Sequence, residues 1–128
     1  MPHRFIIAIG TNYNHEKNVA YAKKLLSETF SDIQFSRQML TKPVGEESAS
    51  KEMFLNLLAF GETDESCDMT IENLKRIETQ CGNSKSLRIQ GKIAIDIDLL
   101  LYDDNHHHKS DWQRGYIKEL LCDINFNQ

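Results

Sequence analysis

The chain predicts an α+β fold in which an antiparallel sheet is built in the order β-α-β-β-α-β and followed by an additional C-terminal helix. Three observations carry that expectation. Short runs of apolar and β-branched residues read as strands at residues 5–9, 33–39, 53–60 and 92–102. Apolar residues recur at helical spacing between the first and second runs and between the third and fourth. Between the second and third runs there is only a loop. Thr41-Lys42-Pro43-Val44-Gly45 ends the ladder, because proline and glycine interrupt it, and residues 46–51 are small and polar.

Taken in order, residues 5–9 form an apolar strand that stops at Gly10. Val19, Ala22, Leu26 and Phe30 then share one helical stripe, with lysines and glutamates elsewhere. Ile33, Phe35 and Met39 fit one alternating strand, and residues 53–60 are apolar enough for a central one. Residues 61–66 read as a turn. Ile71, Leu74, Ile77 and Cys81 make the second helical stripe, and Ile117, Leu120, Leu121 and Ile124 the last. This is the split β-α-β, ferredoxin-like order, with helices on one face of the sheet and the other face left for loops and a substrate. No repeat or linker divides the chain, so residues 1–128 are read as a single domain.

Composition narrows the function classes. A formal net charge of −4 argues against a protein built for nucleic-acid backbones, and the strands carry no aromatic cluster for stacking bases. Cys67, Cys81 and Cys122 form no C-x-x-C pair and are odd in number, which points to reduced thiols. The opening apolar run is too short for the core of a signal peptide, and no run approaches a bilayer span. The expectation is a soluble cytoplasmic monomer that acts on small molecules, without nucleic-acid or membrane partners.

Asp96-Ile97-Asp98 holds the most information. Side chains alternate along a strand, so Ile93, Ile95, Ile97 and Leu99 take one face while Ala94, Asp96 and Asp98 take the other. At ~3.3 Å per residue the two carboxylates are rooted about 6.6 Å apart and point the same way. Their repulsion is roughly 0.6 kcal/mol in water and about 2.5 kcal/mol at an effective dielectric of 20. A bound Mg²⁺ would convert that penalty into a site, since hard cations want convergent carboxylate oxygens. Taken alone, the pattern equally fits a strand whose outer face simply carries acids. His106-His107-His108 is similarly open, because three consecutive histidines cannot easily all face one ion and a solvated loop is the simpler account.

Six short pieces in register decide between these. They are Gly10-Thr11-Asn12, Thr41-Lys42-Pro43-Val44-Gly45, Phe54-Leu55-Asn56, Arg76-Ile77-Glu78-Thr79-Gln80-Cys81-Gly82, Asp96-Ile97-Asp98 within its strand, and Gln113-Arg114-Gly115-Tyr116. In this order and spacing the chain resembles the 6-hydroxymethyl-7,8-dihydropterin pyrophosphokinases of the folate pathway, from the first strand to about Ile124. The resemblance implies transfer of a diphosphate from ATP, the co-substrate, to the pterin's hydroxymethyl oxygen, with release of AMP. It implies that Asp96 and Asp98 hold two Mg²⁺ ions. It places Thr41, Lys42, Val44, Phe54, Asn56 and Tyr116 around the pterin, and Glu78, His108 and Arg114 on the nucleotide side.

One stretch departs from the pattern. In residues 83–93, Asn83 and Ile93 stand where the family has catalytic arginines. Gln90 replaces a tryptophan and Ser86 a lysine, and the connection from the acidic strand to His108 is short. Lys85, Arg88 and Lys92 keep positive charge there, and Lys85 and Arg88 are the expected catalytic substitutes. A displaced cation does not reproduce a positioned guanidinium fork. Two readings result: a divergent pyrophosphokinase that uses these cations, or a paralogue that binds a Mg²⁺–nucleotide or pterin-like ligand with little turnover.

Overall fold

The structure is a computed structural model and describes residues 2–42 and 52–126; Val44, the loop at 46–51 and Pro43-Gly45 lie outside the described residues. Strand β1 (His3–Thr11) leads to helix α1 (His15–Thr29), then to two short strands, β2 (Gln34–Phe35) and β3 (Met39–Thr41). Next come β4 (Phe54–Thr63), α2 (Cys67–Gln80), the short helix α3 (Lys85–Ile89), β5 (Asp96–Tyr102), β6 (Asn105–His106) and α4 (Gly115–Leu120). The sheet runs β2-β4-β1-β5-β6 with β3 also on β4, and every neighbouring pair is antiparallel. The α+β, ferredoxin-like expectation therefore holds.

The alternation of each strand sorts the apolar residues into two cores. Phe5, Ile7, Ile9, Leu57, Ile95, Ile97 and Leu99 face α1 and α2, where Val19, Leu26, Leu74 and Ile77 close on them. Ile6, Leu58, Phe60 and Leu100 face the opposite way and bury against Ile117 and Leu120 of α4. That second face was expected to be free of helices. The structure covers one half of it with residues 112–126 and leaves bare the half where Gly10, Asn56, Asp96 and Asp98 lie.

The strand expected over Ile33, Phe35 and Met39 is broken, and the break has a physical reason. The amide of Ser36 donates to Leu58 O at 2.8 Å, and its hydroxyl accepts from Leu58 N at 2.8 Å. A side chain thus replaces one ladder partner, and the bulge shifts the parity of the strand by one. Ile33 and Phe35 pack on the helix side, whereas Met39 packs on the α4 side. The bulge also presents Arg37, whose guanidinium reaches Glu119 at 3.0 Å and whose amide donates to Asp123 at 2.9 Å. These contacts set α4 and its following turn on the sheet. A second bulge, at Leu100 in β5, leaves both Leu100 and Leu101 toward α4.

Two further expectations are corrected. β4 runs through Gly61 to Thr63 instead of turning at 61, and a Cβ on Gly61 would stand 3.0 Å from Asp32 Oδ1 and 3.3 Å from Ile33 Cα, so a side chain there would crowd its neighbours. The acidic strand starts at Asp96; residues 92–95 bend at Ala94 and are held by Asn12, Thr11 and Asn83 rather than by strand pairing.

Candidate active site

The bare half of the sheet is a trough, and the strand register explains its shape. Gly10 in β1 lies between Asn56 of β4 and Asp96 of β5, and Ala8 lies between Leu58 and Asp98. All six side-chain positions point to the same face. The central strand therefore offers a floor with almost no side chain, about 10 Å wide between flanking strands, walled by an amide on one side and two acids on the other. Asn56 leans over this floor: a Cβ on Gly10 would meet Asn56 Oδ1 at 3.1 Å. The cleft is shallow and open, and is lined further by Thr41, Lys42, Phe54, Asp111, Arg114 and Tyr116.

Each wall is held by identifiable contacts. Asn56 Nδ2 donates to Thr41 Oγ1 at 2.7 Å and to Phe54 O at 3.4 Å, which fixes which way its amide points. Arg114 is drawn to Asp111 at 3.4 Å and donates to Tyr116 Oη at 3.4 Å. Tyr116 also packs against the α4 core, so one ring closes the hydrophobic layer and forms the trough's end wall.

The two acids meet different partners. Arg88, from α3, places Nη2 at 2.6 Å from Asp96 Oδ1. His108 places Nε2 at 3.9 Å from Asp98 Oδ1, on a backbone with φ of 51°. Burial, against the attraction of His108 and with the repulsion of Asp96, holds the Asp98 carboxyl above its usual range. Among the described residues no three His, Cys, Asp or Glu side chains converge as a metal cage. Two carboxylates on an open face suit Mg²⁺, which binds through one or two carboxylates and fills its remaining positions with water and phosphate oxygens.

The histidine run resolves into three separate environments. The ring of His106 lies 4.5 Å from that of Trp112, His107 Nε2 is 3.8 Å from Cys67 Sγ, and only His108 turns toward the acids.

Glu78, expected beside a nucleotide, lies at the edge of the acidic strand away from β1 and does not line the trough. It is buried, accepts from Ile97 N at 2.6 Å and pairs with Lys75 at 3.5 Å. Burial raises its carboxyl above the usual range, opposed by the Ile97 amide and Lys75. Lys85 is exposed on the first turn of α3 and does not line the trough. Lys92 lies over the ring of Tyr13 at 5.3 Å.

Asn83 and Ile93 have structural duties. Asn83 Nδ2 donates to Ile95 O at 2.5 Å, and its Oδ1 accepts from Ile95 N at 3.2 Å. Asn12 does the same one step earlier, accepting from Ile93 N at 2.6 Å and donating to Gly91 O at 2.9 Å. Two amide side chains thus stand in for a missing strand along residues 91–95, and Ile93 is buried. Asn83→Ala leaves both polar groups of Ile95 unpaired at a cost of about 1–3 kcal/mol. Its melting temperature should fall by several degrees, with Ser86→Ala, at an exposed position, unchanged within a degree in the same scan.

A family model described as 7,8-dihydro-6-hydroxymethylpterin-pyrophosphokinase (HPPK) matches residues 6–126. The chain belongs to that family. It is 35% identical over 99 residues to the folate synthesis bifunctional protein of Chlamydia trachomatis serovar D, a match that covers 75% of this chain and 21% of the relative. It is 30% identical over 106 residues to the folate synthesis bifunctional protein of Chlamydia muridarum, covering 79% of this chain and 23% of that protein. The chain thus matches about a fifth of the length of these curated relatives. The family is named for a pyrophosphokinase of 7,8-dihydro-6-hydroxymethylpterin, and both relatives are named for folate synthesis.

Seen as an HPPK-family trough, the site contains most of the residues expected of it. Thr41, Lys42, Phe54, Asn56, Asp96, Asp98, Arg114 and Tyr116 all line it, and Arg88 and His108 reach its acids. Sequence reasoning missed Ala8, Gly10 and Asp111 as lining residues. Gly10-Thr11-Asn12 held the signal for the floor, since a glycine at the end of a central strand marks a close approach. Thr11 and Asn12 serve the same segment from behind, with Thr11 Oγ1 donating to Ile93 O at 3.1 Å. No helix of the described residues is long and apolar enough to cross a membrane.

Proposed function

We propose that the chain transfers a diphosphate group from ATP to the hydroxymethyl oxygen of 6-hydroxymethyl-7,8-dihydropterin and releases AMP. The observation that carries this reading is the trough itself. Its floor of Ala8 and Gly10, bare but for one methyl group, suits a flat heterocycle, with the oriented amide of Asn56 on one side and the two acids on the other. Asn56 and Thr41 would read the polar edge of the ring, with Phe54 and Tyr116 against its apolar surface. Asp96 and Asp98 would hold Mg²⁺, two ions by family resemblance, which when bound neutralises charge on the phosphate oxygens. In the transfer the substrate oxygen bonds to the β-phosphorus, the bond from that phosphorus to the α,β-bridging oxygen breaks, and the hydroxyl proton is lost. The chain's own contribution is positioning: Lys42 would border the pterin, Arg114 would meet the nucleotide, and α4 fixes the end wall.

A second reading is favoured by one observation. Asn83 and Ile93 are tied into the backbone clamp, so neither position supplies a cation. Loss of one preorganised donor commonly costs about 3–4 kcal/mol in the barrier. A site so depleted would bind Mg²⁺–nucleotide and turn it over slowly or not at all.

The protein incubated with ATP, Mg²⁺ and 6-hydroxymethyl-7,8-dihydropterin should release AMP slowly, at a rate that Asp96→Ala abolishes. AMP no faster than from Asp96→Ala sinks the transferase reading. Heat from Mg²⁺–ATP in a calorimeter, with no AMP, supports the binding module.

A further inference from the structure

Arg88 occupies one of the two Asp96 oxygens open to a metal. Its guanidinium touches Oδ1 at 2.6 Å, and a divalent cation brought to the same carboxylate repels it, since both are positive. We propose that Arg88 is a positioning residue displaced by metal: it neutralises Asp96 in the metal-free protein and is released, when a divalent cation arrives, to grip the nucleotide's phosphates. The inference rests on Asp96 and Asp98 as the metal site and deepens that reading.

The local architecture allows the exchange. α3 spans five residues and buries none of them, and the Arg88 side chain is 47% exposed, so it leaves Asp96 without opening a cavity. The ends of the segment, by contrast, are anchored. Ser84 caps α3 by accepting from Leu87 N at 3.1 Å, Gly91 turns the chain at φ 75°, and Asn83 and Asn12 clamp residues 91–95. A weakly packed turn between two fixed points lets one long side chain change partners while the backbone stays in register. The released group is suited to its second partner, because a guanidinium fork matches phosphate oxygens in a bidentate way. The exchange also answers the chain's shortage of loop cations. With Asn83 and Ile93 committed to structure and Lys85 outside the trough, Arg88 is the residue of that loop whose charge reaches the acids.

The test is a change of sign between two binding measurements, neither of which needs turnover. Mn²⁺ alone is titrated by electron paramagnetic resonance into wild type, Arg88→Ala, Arg88→Lys and Asp96→Ala. Wild type and Arg88→Ala are then titrated by calorimetry with Mg²⁺ and a non-hydrolysable ATP analogue. Removing the competing guanidinium should tighten Mn²⁺ binding about tenfold, the scale of a charge-assisted hydrogen bond. The same variant should bind the Mg²⁺–nucleotide about tenfold more weakly. Arg88→Lys should hold Mn²⁺ close to the wild-type affinity.

Unchanged or weaker Mn²⁺ binding by Arg88→Ala overturns the displacement, and unchanged nucleotide binding overturns the transfer to phosphate. If wild type and Asp96→Ala bind Mn²⁺ equally, the metal site itself is wrong. If the change of sign is seen but no AMP is released, the diphosphate transfer fails and the exchange stands.

Discussion

Asp98→Asn is expected to lower AMP release at least a hundredfold while raising the melting temperature of the metal-free protein at neutral pH. The first effect follows from the proposed metal site, in which Asp98 would supply one of two charges that hold the metal, a contribution of several kcal/mol to charge stabilisation in such reactions. The second follows from linkage. Burial, with Asp96 and Asp111 adding repulsion and His108 and Lys75 opposing it, keeps the folded-state carboxyl of Asp98 above the ordinary aspartate value of 3.8. An acid whose folded value is raised contributes its full stability below the unfolded value and loses it as pH climbs through the folded one. At neutral pH the ionised group is therefore a burden, and a neutral amide relieves it. Melting curves should show Asp98→Asn above wild type at pH 7, with the gap closing as pH falls toward 3.8. A variant that is inactive and also less stable across that range would mean the carboxylate is a structural anchor instead. Function here is bought with stability, as at many sites of concentrated charge.

Leu100→Ala should lose about 2–5 kcal/mol of stability, or roughly 8–20 °C in melting temperature. Leu100 is fully buried between the sheet and α4, in contact with a core of Ile6, Leu58, Phe60, Ile117 and Leu120. The same helix carries Tyr116 and follows directly on Arg114, so a cavity beneath it loosens the end wall of the trough. Leu26→Ala is the matched control, fully buried on the opposite face under α1. Both variants should lose stability by similar amounts, measured by thermal unfolding. Well below either midpoint, only Leu100→Ala should weaken pterin binding. Equal pterin affinity in the two variants would show that α4 does not govern the site.

The order of strands and helices was legible because each element carries its own period. Phe5, Ile7 and Ile9 turn to the helices while Ile6 turns to α4, as alternation requires. The breaks in that pattern were not legible. Nothing in the composition of residues 33–39 says that the Ser36 hydroxyl will replace a ladder partner, because the amide it satisfies belongs to Leu58 in another strand. The clamps are hidden for the same reason: Asn12 meets Ile93 across a separation of 81 residues. Glu78 shows the limit most plainly. Its motif suggests a place beside a ligand, and its carboxylate meets the Ile97 amide at the edge of the acidic strand. A motif records which residues occur together, and not which group each one meets.

What the sequence by itself determined was that Asp96 and Asp98 share a face, opposite the apolar residues between and beside them. Two-residue periodicity is a property of any strand and needs no partner. What only the tertiary structure decided was which groups those acids meet: a glycine and an alanine for a floor, Asn56 across it, Arg88 on one carboxylate and His108 on the other. Electrostatic and hydrogen-bond energies depend on separation in space, and folding alone brings residues 10, 56, 88, 96 and 108 within reach of one another.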